Sequence, residues 1–284
     1  MLQDLQKKEK IMKNQQIPKV INYFWFGGKD LPPKVKKCIK SWEKYCPDYE
    51  LKLWNETNFD INCCSYVKEA YDSKKWAFVS DYARFWVLYN YGGIYLDTDV
   101  ELIKSLDNII KNGPFFALET EEYDSVNPGV GMASQKKNVF YKEVLEDYEN
   151  SHYLTKDGIP NNTPVGKRVA KLLKEYGLSS NNSDGIQVVD GIYIYPAEYF
   201  CPLNYFTGEL HITDKTVAIH HFQASWLSKS EKKYHKISQH VTKLFGKRAG
   251  EKFEMIIKFP YSFNKKRKKL GLKTSIKYYL RKYK

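Results

Sequence analysis

Two aspartates stand one residue apart, Asp97 and Asp99, directly after the short apolar run 94–96. The run is typical of a buried strand, so the two carboxylates fall where its carboxyl end meets a loop. Burying ionised carboxylates without a partner is strongly unfavourable, and this pair therefore needs a cation. Mg²⁺ or Mn²⁺ suits such oxygen ligands and takes its remaining ligands from phosphate and water. The alternative for an isolated Asp-x-Asp is a solvated acidic turn.

A predicted helix with one apolar stripe precedes these carboxylates. Asp81 and Arg84 are three residues apart and share another face of that helix. This spacing makes an intrahelical ion pair by itself, so a purely structural role remains open beside a role in binding. Gly92 and Gly93 then end the helix. The stripe consists of Phe78, Tyr82, Phe85 and Tyr89.

An earlier aromatic and β-branched run, 17–26, predicts the first buried strand, with Trp25 at its carboxyl end and a tight turn at Gly27-Gly28. A helical pattern over 31–45 and an alternating segment over 49–54 complete a βαβ unit. Because its crossover is right-handed, the turns after Trp25 and at Asp97 should share one edge of a parallel sheet, where open α/β sheets bind ligands. A core position for Trp25 is the structural alternative.

These segments resemble a known family. Residues 77–84 read Ala-x-x-Ser-Asp-x-x-Arg, and residues 91–99 read Tyr-Gly-Gly-Ile-Tyr-Leu-Asp-x-Asp. Both are similar to the sugar-binding region of the DXD-containing family 32 glycosyltransferases, which include yeast mannosyltransferases and bacterial capsule enzymes. The glucosylating domains of large clostridial toxins are similar as well. The likeness extends from about residue 17 to about residue 226 and includes Trp-Phe-Gly-Gly at 25–28 and His-His-x-x-x-Ser-Trp at 220–226.

The resemblance implies an α/β fold of the GT-A-like, nucleotide-sugar-binding type. Its donor, expected to be a UDP-sugar, would be bound by Trp25, Asp81, Arg84, Asp97, Asn127, Ser225 and Trp226. By this likeness Trp25 stacks on the nucleobase and Asn127 lines the sugar pocket, although an ordinary Asn-Pro turn explains Asn127 equally well. The chain departs from the family at Asn22, where relatives often have His.

The same resemblance implies a metal site and a catalytic set. Asp97 and Asp99 would hold Mn²⁺ or Mg²⁺, and His220, preferred over the second histidine of the pair, would complete the site. The metal would stabilise charge on the departing diphosphate, while Asp81 and Arg84 hold the sugar. Asp81, Arg84, Asp97 and Asp99 are thus the expected catalytic residues. Family 32 enzymes retain the anomeric configuration, and the leaving phosphate can take the proton of the incoming hydroxyl, so no enzymic nucleophile is expected.

The remaining chain predicts a mostly parallel sheet with helices on both faces. A single antiparallel edge strand is expected over 186–195, and an aromatic-rich surface segment contains Tyr199, Phe200, Tyr205 and Phe206. Core packing is the alternative for each of these aromatic residues. Further strands are expected at 114–119 and 127–134, and further helices at 66–75, 140–148 and 164–176.

Composition sets the domain organisation and the compartment that we expect. A chain of 284 residues with 42% hydrophobic residues supports one globular body. Residues 1–16 are polar and Lys-rich and are expected to be a frayed or disordered extension; 17–254 form the predicted glycosyltransferase domain. The five cysteines lack a Cys-x-x-Cys pair, which favours a reducing cytoplasm.

The strongest charge lies at the C-terminal end. Residues 255–284 contain eleven Lys or Arg and no Asp or Glu, so only +2 of the net charge of +13 belongs to the rest of the chain. Apolar residues repeat at helical spacing between these cations, which is typical of an amphipathic helix on an anionic membrane surface. We therefore expect a peripheral protein on the inner face of the cell membrane, acting on a saccharide or polyprenyl-linked acceptor in capsular polysaccharide synthesis. A solvated tail without a function is the main alternative; binding of nucleic acid is the competing use of such a tail and is not expected.

Two other function classes stay open at this point. Asp-x-Asp with a divalent ion also suits a phosphotransferase or nucleotidyltransferase, but the chain has no P-loop or kinase motif. A non-enzymatic basic protein that binds membrane or nucleic acid would explain the charge of +13 but not the carboxylates.

Overall fold

The computed structural model describes residues 16–120, 125–179, 185–223 and 229–273, together with Ser275 and Tyr278. The chain forms two compact units. The first runs to Leu203 and includes His211–Phe222, and the second consists of Asn204–Leu210 and the chain from Gln223 onward. Within the described part of the chain, no helix combines the length and apolar character needed to cross a membrane.

The first unit alternates strands and helices. Its first half contains β1 (Val20–Phe24), α1 (Pro33–Tyr45), β2 (Glu50–Trp54), α2 (Ser65–Asp72), α3 (Trp76–Tyr91), β3 (Gly93–Tyr95), β4 (Val100–Leu102) and α4 (Asp107–Ile110). Its second half contains β5 (Phe115–Ala117), β6 (Met132–Ser134), α5 (Val139–Glu149), α6 (Val165–Glu175), β7 (Gln187–Val189), β8 (Ile192–Tyr195), α7 (Ala197–Phe200) and β9 (Ala218–His220). The second unit contains α8 (Lys229–Phe245) and α9 (Lys247–Leu270).

Seven strands form the central sheet in the order β2-β1-β3-β6-β5-β8-β7. Five of them run in one direction, and β6 and β7 run against the others. The predicted α/β class with a mostly parallel sheet flanked by helices is therefore confirmed. A separate antiparallel pair, β4 with β9, lies beyond the carboxyl end of β3.

The junction of α3 and β3 explains how the chain reaches the aspartates. Helix α3 is buried along most of its length, as expected of a helix that is apolar on several faces. Gly92 ends it with a φ of +71°, and Gly93 follows with a φ of +105°. A Cβ atom at Gly93 would lie 2.7 Å from the carbonyl oxygen of Val20, so only glycine lets β3 approach β1 this closely.

One expectation needs correction. Residues 186–195 do not form one edge strand: Asp190 and Gly191 have φ of +48° and +76°, and they turn the chain into the hairpin β7–β8. Phe200 takes the core alternative that was open for the aromatic residues of 199–206: it is fully buried and stacked on Phe115 at 5.2 Å between ring centroids. The predicted glycosyltransferase domain of residues 17–254 stays a prediction; residue 254 lies within α9, in the second compact unit.

Candidate active site

The turn at 97–99 lies where the sequence predicts it, at the carboxyl end of β3. Backbone hydrogen bonds hold it on two sides: the amide of Asp97 donates to the carbonyl of Gly129 at 2.9 Å, and the amide of His221 donates to the carbonyl of Asp99 at 3.0 Å. The second bond ties the turn to the end of β9. The position of both aspartates is therefore set by strands distant in sequence as well as by β3.

His220 reaches the aspartates through strand register. In the antiparallel β4–β9 pair, Val100 lies opposite His220, which brings the ring beside Asp99 with 3.3 Å between Nε2 and Oδ1. Burial alone would lower the pKa of His220, but the Asp99 carboxylate outweighs it and raises this pKa well above its ordinary value. One ligand atom each from Asp97, Asp99 and His220 lie within 4.8 Å of one another.

This donor set fits a divalent cation. Two carboxylates and an imidazole are acceptable ligands for Mn²⁺, and their closeness concentrates negative charge that a cation would balance. A bound ion would take the place of the imidazole proton as the positive charge beside Asp99. The convergence of three ligands favours a metal site over a solvated acidic turn.

His221 faces a different partner. Its Nε2 lies 2.7 Å from Oε2 of Glu101, and Lys37 approaches the same carboxylate at 3.1 Å. Partial burial would raise the pKa of Glu101, but the hydrogen bonds from His221 and Lys37 hold it below its usual value. Of the two histidines, the structure brings His220 and not His221 to the aspartates.

The predicted ion pair between Asp81 and Arg84 on α3 forms, and Arg84 also reaches a residue outside the helix. Nη2 of Arg84 donates to Oδ1 of Asp81 at 2.8 Å and also lies 3.6 Å from Oδ1 of Asp97. The guanidinium stands 4.6 Å over the ring of Tyr95. Burial raises the pKa of Asp81 to about 6, against the opposing effect of Arg84. Arg84 therefore links the helix to the aspartate turn, which local spacing alone did not require.

Trp25 lies at the same sheet edge as Asp97, because β1 and β3 run parallel with Asn22 opposite Tyr95. The indole is half-buried outside the hydrophobic core, and its Nε1 donates to the carbonyl of Lys29 at 2.5 Å. Asn22 joins neighbouring strands of the sheet. Its Nδ2 donates to the Ile94 carbonyl at 3.2 Å, and its Oδ1 accepts from Trp54 at 2.8 Å.

Asn127 lies in the turn that faces Asp97. Its side chain accepts a hydrogen bond from the amide of Gly129 at 2.8 Å and donates to Glu119 at 2.5 Å. The structure thus shows the turn-forming role of Asn127 directly, and its contact with a sugar stays a prediction. The two other predicted donor-binding residues, Ser225 and Trp226, lie outside the described residues.

Two residues that contribute to the site, Tyr95 and Gly129, were not predicted from the sequence. The hydroxyl of Tyr95 donates a short hydrogen bond to Oδ1 of Asp97, and a Cβ atom at Gly129 would lie 2.2 Å from Oδ2 of the same carboxylate. The strand alternation that places Tyr95 and Asp97 on one side was a usable signal for Tyr95. Nothing in the sequence near Gly129 indicates that it must leave room for Asp97.

Comparisons with known proteins agree with this geometry. Residues 32–116 match the family described as the glycosyltransferase sugar-binding region containing a DXD motif. This match covers α3, β3 and the aspartate turn, as well as the βαβ opening from α1 onward.

Three relatives show similarity to the chain. Inositol phosphoceramide mannosyltransferase 3 of Schizosaccharomyces pombe is 35% identical over 135 residues, 46% of this chain and 37% of that protein. Inositol phosphoceramide mannosyltransferase 1 of the same yeast is 26% identical over 155 residues, 50% of this chain and 46% of that protein. The "uncharacterized glycosyltransferase L373" of Acanthamoeba polyphaga mimivirus is 25% identical over 200 residues, 66% of this chain and 76% of that protein.

The chain spans less than half the length of the two yeast relatives. The family match rests on the same segment that carries the converging carboxylates. Residues 32–116 are thus similar to a glycosyltransferase sugar-binding region that contains a DXD motif, and the resemblance predicted from the sequence is confirmed.

Proposed function

We propose that this protein is a retaining, metal-dependent glycosyltransferase that moves a sugar from a nucleotide-sugar, a UDP-sugar by preference, to a saccharide or lipid-linked acceptor. The observation that carries this proposal is the convergence of Asp97, Asp99 and His220 within 4.8 Å at the end of β3. These residues belong to or adjoin the DXD region, and oxygen-rich sites of this kind bind nucleotide diphosphates through a cation.

Each nearby side chain has a separate role in the proposed reaction. Asp97, Asp99 and His220 would hold a divalent ion, which would supply Lewis-acid stabilisation of the charge on the departing diphosphate. Arg84 adds fixed positive charge beside Asp97, where it needs no reorganisation during the reaction.

Two further side chains position the donor. The carboxylate of Asp81 accepts hydrogen bonds from hydroxyl groups of the sugar. Among the described residues Arg84 is its one hydrogen-bonded partner, so the carboxylate keeps free acceptor positions. The indole of Trp25 packs on the base and keeps the donor at the edge of the sheet. Binding of both ends of the donor orients the bond that breaks.

The proposed acceptor is supported by the basic charge of the C-terminal segment and by the names of the yeast relatives. The yeast relatives are named inositol phosphoceramide mannosyltransferases. The eleven cations of residues 255–284 would attract an anionic leaflet, which supports a lipid-linked acceptor at the inner face of the membrane. A role in surface polysaccharide synthesis is part of the same proposal.

A donor panel tests the function. The chain is incubated with Mn²⁺ and UDP-glucose, UDP-galactose, UDP-N-acetylglucosamine or GDP-mannose, and release of free sugar is measured with and without EDTA. Slow, EDTA-sensitive hydrolysis of one donor is expected, and Asp99→Asn should abolish it. Release of nucleoside monophosphate instead would indicate phosphoryl or nucleotidyl chemistry, and no release from any donor would contradict the proposal.

A further inference from the structure

A cluster of buried tyrosines lies beside Asp81, on elements that the proposed reaction has not yet used. Tyr66 comes from α2, Tyr148 from α5 and Tyr153 from the loop after α5. The Tyr66 ring centroid is 4.8 Å from that of Tyr148 and 5.9 Å from that of Tyr153. All three side chains are fully buried, yet none of their hydroxyl groups has a hydrogen-bond partner among the described residues.

Arg168 of α6 joins this cluster from the surface side. Its guanidinium stands 4.6 Å from the centroid of the Tyr148 ring and 5.5 Å from that of the Tyr66 ring. One end of the guanidinium pairs with Asp147, while Nε is buried and has no partner in the described part of the chain. The cluster therefore presents three phenol groups and one N–H donor without acceptors.

The concentration of such groups is unusual. Seven buried side-chain polar atoms lack a partner within the described ranges, and four of them belong to Tyr66, Tyr148, Tyr153 and Arg168. Buried polar groups are otherwise nearly always satisfied, and each exception destabilises the fold. Phenylalanine would fill the same space without this destabilisation, so packing does not account for the hydroxyl groups.

The cluster is electrostatically linked to Asp81. Burial raises the pKa of Tyr66 and of Tyr148, and the negative charge of Asp81 raises both further. Arg168 acts in the opposite sense and lowers the pKa of Asp81. Ring contacts place the cluster against the part of α3 that carries Asp81: the Tyr148 ring centroid is 6.0 Å from that of Tyr82, the next residue after Asp81, and the Tyr153 ring centroid is 5.1 Å from that of Phe78.

We propose that Tyr66, Tyr148, Tyr153 and Arg168 complete the sugar subsite behind Asp81, where their donors bind the hydroxyl groups of a sugar and the water ordered around it. This inference rests on the proposed glycosyltransferase function and assigns these four as positioning and specificity-determining residues. These four residues contact the sugar of the donor and not its nucleotide, which binds at the sheet edge where Trp25 lies. The ligand class is a polyhydroxylated ring.

The test compares two buried tyrosines of the same helix. Tyr148→Phe removes an unpartnered hydroxyl, whereas Tyr141→Phe removes one that donates to the carbonyl of Ala133 at 3.0 Å. Thermal unfolding is measured for the full chain and both variants. We expect an unchanged or higher Tm for Tyr148→Phe and a lower Tm for Tyr141→Phe, because only the latter loses a buried hydrogen bond.

Donor kinetics then separate the sugar from the nucleotide. KM is measured for hydrolysis of the donor that the unmodified chain turns over, and Kd is measured for UDP or GDP with Mn²⁺. Tyr148→Phe should raise KM about 3- to 10-fold, as expected for one hydrogen bond, with little change in kcat or in nucleotide Kd. Tyr141→Phe should leave KM and Kd unchanged. Tyr153→Phe provides a second variant with the same expectation as Tyr148→Phe.

Either of two results would overturn the inference in an enzyme that is otherwise active. One is a loss of Tm in Tyr148→Phe and Tyr153→Phe equal to that of Tyr141→Phe, which would show ordinary structural partners. The other is an unchanged KM in both variants. Failure of the unmodified chain to hydrolyse any donor is a separate outcome, which overturns the proposed function and this inference with it.

Discussion

Several neighbouring groups position the side chain of Asp97. Tyr95 and Arg84 both approach its Oδ1, and Gly129 leaves the space that its Oδ2 occupies. A carboxylate held from three sides has little rotamer freedom to lose when it binds a cation. This preorganisation is what a site needs if the cation is to stand in one place relative to the diphosphate.

Replacing either Asp97 or Asp99 by Asn should impair metal and donor binding but leave the fold intact. Asp97→Asn or Asp99→Asn is expected to abolish turnover and to weaken Mn²⁺-dependent UDP binding, because an amide oxygen is a poorer ligand than a carboxylate. Calorimetric titration of UDP with and without Mn²⁺ measures the effect, and circular dichroism checks that the fold is intact. Full activity in either variant would contradict a metal role for that residue.

The two histidines should differ in the same kind of measurement. His220→Ala is expected to raise the Mn²⁺ concentration for half-maximal activity more than about tenfold. Removing a group that only hydrogen-bonds to a metal ligand already lowers metal affinity about tenfold or more, and removing a ligand should lower it further. His221→Ala removes the contact with Glu101 and should change this concentration little. The reverse order of effects would exchange the roles of the two residues.

At the scale of elements, the parallel β1–β3 pair and the antiparallel β4–β9 pair assemble the site. The first brings Trp25 and Asp97 to one edge of the sheet, and the second adds His220 opposite Val100. A shift of one residue in the β4–β9 register would turn His220 away and bring its neighbour inward, since side chains alternate along a strand. The metal site is therefore a consequence of strand pairing.

Gly93→Ala tests how tightly β3 must approach β1. The added Cβ atom would meet the Val20 carbonyl at 2.7 Å in a backbone with a φ of +105°, so we expect a loss of about 2–4 kcal/mol in the free energy of unfolding. Gly158→Ala is the matched control, because Gly158 has a φ of +68° and no atom within 4 Å of the added Cβ. Urea unfolding should show a clearly smaller loss for the control. Equal losses would mean that backbone conformation alone accounts for the effect.

At the scale of the whole molecule, charge and exposed apolar surface are concentrated in the second unit. Leu244 and Phe245, where α8 gives way to α9, are 65% and 73% exposed, and Ile256 of α9 is 68% exposed. Residues 265–269 read Lys-Lys-Arg-Lys-Lys. A sequence segment that combines apolar residues with a run of cations is suited to an anionic membrane surface. The apolar repeat predicted beyond Leu272 lies largely outside the described residues.

Replacing the five basic residues 265–269 by Gln should weaken binding to anionic vesicles at least about 10-fold, because each cation near such a surface contributes about 1 kcal/mol. Co-sedimentation with vesicles that contain phosphatidylserine measures the effect, and high salt should release the unmodified chain. The control carries the same change of charge at five exposed lysines of the first unit: Lys34, Lys36, Lys40, Lys111 and Lys171. Equal vesicle binding by both variants would refute tethering by the second unit.

Local sequence patterns predicted most of the secondary structure around the site, as well as the position of the aspartate turn. The helical stripe of α3, its end at two glycines and the aspartate turn after β3 all follow from residues within one stretch of chain, since helix and strand periodicity are local properties. The βαβ opening was predictable for the same reason, and a right-handed crossover then implied that Trp25 and Asp97 share an edge. The Asp190-Gly191 turn was also a local signal, although the segment around it was predicted as one strand.

Tertiary pairing decided what local pattern left open. His220 is the last residue of β9 and His221 follows it, and only the register of β9 with β4 determined that His220 meets Asp99 while His221 meets Glu101. The reversed direction of β6, the burial of Phe200 and the reach of Arg84 to Asp97 likewise depend on elements far apart in sequence. The tyrosine cluster beside Asp81 draws its members from separate elements and has no spacing of its own. Such contacts leave no periodic trace in a sequence, because they arise only when packing brings distant segments together.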